Sequence, residues 1–309
     1  MLSTTEINGI NKRYLISTSP YFIQMKKLLF ISCFFPIITS AQNFYFSGRL
    51  GVANYEGDLK AKTVSLSQAK LMGSLGAQYD LSEHLSLRSY VTLTSLHADD
   101  KKGTPAMQRR NLNFSSKIAD WELTGQYNFL SLNEHWWTPY VFAGIGIYHF
   151  NPYTKDTSGK KYFLQPLSTE GEGFTAGVKN YKLTQFSVPV GIGASYSINE
   201  DMRIGLEFGY RKIFTDYLDD VSNKYVDEAA LLNAKGAKAV ELAYRGNEVQ
   251  AGPYPAAGIG RGNPNNKDGY YYIAITYTVR YFFDKYKQIA GILPGKKQKK
   301  VGCPATRQY

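Results

Sequence analysis

Eight charged residues fall where the chain alternates apolar and polar side chains, and all eight share the polar parity: Arg49, Arg88, Asp120, Glu122, Arg203, Glu207, Arg211 and Arg280. Arginines interleaved with carboxylates in this way could do acid–base work, guide an ion along a path, or neutralise one another away from water. The surroundings speak against the first. His84, His97, His135 and His149 are scattered over turns and segment ends, with no metal-ligand spacing and no serine in a nucleophile motif nearby. No catalytic residue, cofactor or metal is therefore expected, and the chain reads as a non-enzyme. A lipid hydrolase with a membrane-facing Ser and His and no linear motif is the enzyme alternative.

The elements that must position these charges are long strands. Between Phe186 and Tyr210, Phe186, Val188, Val190, Ile192, Ala194, Tyr196 and Ile198 share one parity against Ser187, Pro189, Gly191, Gly193, Ser195 and Ser197. After Asn199-Glu200-Asp201 the alternation resumes with Met202, Ile204, Leu206, Phe208 and Tyr210 against Arg203, Gly205, Glu207, Gly209 and Arg211. A period of two is the β signature, and strict alternation over ten or so residues suits a transmembrane strand, apolar outward and polar inward. Glu207 is expected to pair with Arg203, Arg211 or Arg280. An Arg at Ile192 should be costly and a Ser at Gly193 mild.

Six further stretches repeat the pattern. They begin near Phe44, Leu71, Leu85, Ala119, Tyr140 and Tyr271, the last running to Phe283. The predicted fold is all-β: an eight-stranded antiparallel transmembrane β-barrel, the smallest standard size. The interior of so small a barrel is filled by side chains, so the eight charges are expected to form a plug rather than a solute path.

The connections carry the same message. Tyr55–Ala69, His97–Asn113, Phe150–Leu183 and Phe214–Asp268 are long, whereas Ser82–His84, Leu130–Thr138 and Asn199–Asp201 are short, in strict alternation. Outer-membrane barrels have short periplasmic turns and long outer loops. A soluble β-sandwich would not explain two kinds of connection in sequence. In the last long loop, Asp227-Glu228 opens AALLNAKGAKAVELAYR, which reads as a short helix or helix pair broken at Gly236.

Met25-Lys26-Lys27, then LLFISCFFPIIT, then Ser40-Ala41-Gln42 has the form of a secretory signal peptide cleaved after Ala41, with Met25 a candidate natural start. Cys33 as a lipoprotein cysteine would leave too short an apolar region. The expected division is 1–41 leader and signal peptide, 42–283 barrel and 284–309 a basic periplasmic tail. Without Lys12, Arg13, Lys26, Lys27 and Glu6, the formal charge of +11 falls to +8, much of it near the C-terminus. An exported chain with no nucleic-acid fold argues against a nucleic-acid partner. In the tail, Lys296, Lys297, Lys299 and Lys300 are candidate partner-binding residues, and Cys303 is a candidate for an intermolecular disulfide in an oxidising compartment.

Tyr55-Glu56-Gly57-Asp58-Leu59, Thr215-Asp216-Tyr217-Leu218-Asp219-Asp220-Val221-Ser222, Arg261-Gly262-Asn263-Pro264-Asn265 and the ending near Cys303-Pro304 resemble the PorG family, with the TDYLDDVS stretch the most specific piece. These are outer-membrane barrels of the Bacteroidota type IX secretion system. The resemblance spans the chain from Gln42 onward. It implies a structural component that docks the periplasmic ring of PorK and PorN at the outer membrane, neither enzyme nor translocation pore. The alternative is a free-standing small barrel of the OmpA/OmpX sort, serving adhesion or envelope integrity.

Overall fold

Leu71, Leu75 and Phe186 are 71%, 77% and 68% exposed, an arrangement that water penalises and a hydrocarbon solvent does not. The strands that carry them close on themselves. The computed structural model describes residues 43–60, 67–265 and 267–280. Its wall is made of β1 (Phe44–Glu56), β2 (Lys70–Asp80), β3 (Leu85–Asp99), β4 (Asn113–Asn128), β5 (Trp137–His149), then β8 (Thr184–Asn199), β9 (Met202–Ile213) and β10 (Gly269–Val279). Each strand pairs antiparallel with the next, and β10 returns to β1, giving a closed eight-stranded barrel. Closure leaves no unpaired sheet edge inside lipid, where an orphaned amide would be costly. The expected strand as far as Phe283 is described only to Val279; Tyr281 and Phe283 lie outside the described residues.

Two more strands, β6 (Pro152–Lys155) and β7 (Lys161–Phe163), form a hairpin in the connection from β5 to β8, with β6 pairing antiparallel to β4 at Ser115 and Ser116. A short helix, α1 (Pro105–Arg110), sits between β3 and β4, capped by Thr104. Neither was legible in the sequence pattern. The last long loop holds two helices, α2 (Glu228–Lys235) and α3 (Ala237–Ala243). Asp227 caps α2 by accepting from the Ala230 amide at 2.9 Å, and Gly236, at φ 85°, ends it in a backbone conformation that other residues adopt only under strain.

Inside the wall, aromatic rings lie over glycines on the neighbouring strand. A Cβ at Gly193 would sit 2.5 Å from the Tyr140 hydroxyl and 2.8 Å from the Leu206 carbonyl. This corrects the expectation that Gly193→Ser is mild: the smallness of Gly193 makes room for Tyr140, and a serine there must displace the ring. Gly73 is the tolerant site, with nothing within 4 Å of the added carbon.

Ile192, 59% exposed on the outer surface of β8, faces lipid. Ile192→Arg should lower the unfolding free energy in vesicles by about 2–4 kcal/mol if it lies near the midplane, whereas Gly73→Ala should stay within about 0.5 kcal/mol. Equal losses at the two positions, read from denaturant titration, would contradict the barrel's placement in the bilayer.

Candidate functional site

Six of the eight inner charges meet in the middle of the lumen. Arg49 on β1 reaches Glu122 on β4 and Glu207 on β9, both at 2.9 Å. Arg88 on β3 reaches the other oxygen of Glu207 at 2.6 Å. Arg211 on β9 reaches Asp120 at 3.0 Å and also pairs with Glu122. Three guanidiniums thus face three carboxylates, and all six side chains are buried. Glu207 also accepts from the hydroxyls of Tyr272 at 2.5 Å and Tyr140 at 2.9 Å. The Arg49 guanidinium stacks 3.7 Å from the centre of the Tyr90 ring.

The expected partners of Glu207 are thereby corrected: Arg49 and Arg88 hold it, not Arg203, Arg211 or Arg280. Arg203 and Arg211 stand four residues away along the same strand, about 13 Å at a strand's rise. Arg280 lies six residues beyond Ala274, the cross-strand neighbour of Glu207. Closure instead carries β1 and β3 to the same depth from across the lumen. Arg203 pairs with Asp80 at 2.9 Å and Arg280 with Asp201 at 2.8 Å, both toward the short-turn end.

Above this lock the four long connections fold into a cap. Arg110 binds both oxygens of Asp100, at 2.8 and 2.9 Å, then donates to the carbonyls of Asp58 and Arg261. Arg261 donates to Glu170 at 3.0 Å, to the Ala243 carbonyl at 3.1 Å and to the Asp220 carbonyl. Two buried or half-buried arginines therefore tie together all four loops. The Tyr55 hydroxyl contacts Asp219 at 2.5 Å and Asp268 at 3.0 Å, and Ser222 donates to Asp216 at 2.8 Å. Leu59, Leu112, Phe150, Leu164, Leu218 and Val221 pack beneath this polar layer and continue the barrel's aromatic core.

Carboxyls outnumber cations here. Burial pushes Asp219 and Asp268 well above the usual carboxylate range, Glu172 to about 8, Asp216 to about 7 and Asp220 to about 6. A hydroxyl with one hydrogen cannot donate to two carboxylates, so Tyr55 between Asp219 and Asp268 requires a proton on one of them. Among the described residues, no group of three or more His, Cys, Asp or Glu is arranged to hold a metal ion.

Residues 38–235 match the family described as outer membrane protein beta-barrel domain. This chain belongs to that family. Membership in the outer-membrane β-barrel family puts the chain in the outer membrane, with the exposed apolar band in lipid. Solved structures similar to this family member include Neisserial surface protein A (12% identity, 77% of this chain and 97% of that one, TM-score 0.37), OprG from Pseudomonas aeruginosa (11%, 76% and 94%, TM-score 0.38) and Ail from Yersinia pestis (11%, 76% and 99%, TM-score 0.35). No curated protein matches the chain.

The parity of the strands placed the six lock charges on the inner face, but nothing in a linear pattern said which would touch. Tyr140 and Tyr272 were legible as inward-facing and not as partners of Glu207. The cap residues Arg110, Glu170, Glu172 and Asp268 carried no signal of their own. Lys296, Lys297, Lys299, Lys300 and Cys303 lie outside the described residues.

Proposed function

We propose that this barrel is a structural, non-catalytic and non-conducting component of the type IX secretion system, docking the periplasmic ring of the PorK/PorN type at the outer membrane. The observation that carries the reading is the meeting of the three internal segments that resemble PorG. Tyr55 contacts Asp219 of the TDYLDDVS stretch, the Asn263 amide donates to Asp58 at 2.5 Å, and Arg261 binds the Asp220 carbonyl. Segments separated by up to about two hundred residues form one cap, so the stretches that carry the resemblance converge in this chain on a single three-dimensional feature. A lumen filled by a neutral charge lock supports a scaffold over a conduit.

The basic tail, Asp284 to Tyr309, is the proposed docking segment, with Lys296, Lys297, Lys299 and Lys300 meeting an acidic surface and Cys303 offering a disulfide to a ring subunit. Deleting the gene should abolish surface delivery of type IX cargo while other outer-membrane barrels assemble normally. Non-reducing gels of whole envelopes should show a higher band that Cys303→Ser removes. Normal cargo delivery in the deletion strain would reject the secretion role. A single monomer band in both strains, with ring assembly intact after removal of residues 296–309, would reject the tail as the contact.

A further inference from the structure

Carboxylates and lysines of the long-loop end are sorted into different environments. The acids are drawn into the cap: Asp100, Glu170, Glu172, Asp216, Asp219, Asp220 and Asp268 are all at most 4% exposed. Lysines on the outer surface of the same end stay in contact with the surroundings. The exposed surface there is therefore more basic than the chain's composition implies.

Two of these lysines, Lys117 on a strand and Lys182 in the connection that enters β8, flank the same stretch of the wall. Lys117 lies on β4 at an outward-facing position, directly opposite Ser95 and one outward step from Ala119. Ala119 pairs with His149 on β5, and His149 pairs with Thr184, the first residue of β8; the exposed Lys182 stands two residues before it, in the connection from β5. Ala119, His149 and Thr184 therefore form one row across three adjacent strands, with Lys117 and Lys182 each two residues beyond it toward the long loops, and His97 on β3, which faces Ser115, at the same end. Neighbouring strands lie about 4.8 Å apart, so β4 and β8 stand about 10 Å apart with β5 and its His149 between them. Among the described residues neither ammonium makes an ion pair. On the β3 flank, Asp99 accepts from the Lys101 amide at 2.9 Å.

Directly below the row the outward positions turn apolar: Leu93, Trp121, Ile147 and Phe186 are all exposed. An outward-facing lysine at the bilayer midplane costs about 2–4 kcal/mol but little near the interface, so this row marks the headgroup level. A ligand that fits must present anionic oxygens at that level and acyl chains beneath. We propose that the outer ends of β3, β4 and β5 and the chain entering β8 form a headgroup site for a phosphate-bearing acyl glycolipid of the outer leaflet, with Lys117 and Lys182 binding phosphate on either side of the His149 strand. The His149 ring is oriented by its Nδ1 contact with Thr184 at 2.9 Å, and His97 by contacts with the Phe114 carbonyl at 2.7 Å and Ser115 at 3.0 Å. The site is independent of any role in secretion.

The test uses the full chain refolded in octyl glucoside, with bound lipid counted by native mass spectrometry and folding checked by heat-modifiable gel migration. The probes are diphosphorylated lipid A, enzymatically dephosphorylated lipid A, phosphatidylglycerol and inorganic phosphate. Wild type should retain diphosphorylated lipid A, and the K117Q/K182Q pair should bind it about thirtyfold more weakly, the size expected for two lysines at a membrane surface. K117R/K182R should retain it, and this pair keeps the test decisive should the Gln pair fail to fold. Dephosphorylated lipid A should bind wild type no better than the Gln pair binds the intact lipid, and inorganic phosphate should compete only weakly. Undiminished binding by the Gln pair, loss of binding in the Arg pair, or equal retention of dephosphorylated lipid A would overturn the site. Equal retention of phosphatidylglycerol would overturn the assignment to a glycolipid.

Discussion

Glu207→Ala should lower the unfolding free energy of the refolded barrel by about 3–5 kcal/mol, the range for breaking a buried ion pair from one side. The size follows from what is left behind. Glu207 accepts from Arg49, Arg88, Tyr140 and Tyr272. Arg49 retains Glu122, but Arg88 retains only the Thr124 hydroxyl at 3.4 Å, a poor neutral acceptor. An uncompensated guanidinium would then sit in the middle of the lumen. Adding Arg88→Met removes that charge while keeping an apolar side chain against Phe142, whose ring centre lies 4.3 Å from the Arg88 guanidinium. The double variant should recover at least half of the loss, a coupling that urea titration in micelles can measure. Additive losses would mean that the two side chains do not share one energetic unit.

Arg261→Ala should release the cap while leaving the wall closed. Arg261 is 3% exposed and holds Glu170, the Asp220 backbone and the end of α3 at once. Its removal leaves Glu170 and Asp220 buried beside Glu172 with their main cation gone, again about 3–5 kcal/mol at neutral pH. The loss falls on residues 215–268 and on the loop that contains Glu170, where hydrogen exchange and limited proteolysis should accelerate, while exchange in β1 and β9 stays slow. The pH dependence has a definite sign. Asp220, Asp216 and Glu172 titrate at about 6, 7 and 8 in the folded cap because burial raises them, against about 4 in an open chain. Raised carboxyls stabilise the closed cap below the open-chain value, and that contribution is lost as pH rises through the folded values. The cap should therefore be tightest near pH 5 and loosen toward pH 8, and the Arg261→Ala cap should tighten again as its carboxyls take up protons. A cap whose proteolysis slowed with rising pH would contradict this electrostatic reading.

The barrel was legible because its two solvents impose one rule on every strand. Leu71, Leu75, Ile192 and Ile275 face lipid, while Arg49, Glu122, Glu207 and Arg211 face inward, and a period of two records this residue by residue. Which inner charges meet depends on closure and on the stagger of the strands, and neither leaves a trace in any single strand. For that reason the alternation points Glu207 to Arg203, Arg211 or Arg280, whereas closure brings it Arg49 and Arg88 across the lumen. The same blindness hid Tyr140 over Gly193, since a glycine on the polar parity looks like tolerance when it is the space another strand's ring occupies. The cap was least legible. Its loops have no period, and Arg110, Glu170 and Asp268 acquire their roles only when four connections converge. Asp227 and Gly236 were readable because helix caps are local.

Reconstituted at single-molecule density in planar bilayers, the full wild-type chain should carry no steady current across the physiological voltage range, because the lock of Arg49, Arg88, Arg211, Asp120, Glu122 and Glu207 fills the lumen and the cap covers its outer end. A stable open-channel conductance from the folded wild type, with an ion selectivity that Glu207→Ala alters, would contradict a sealed structural barrel.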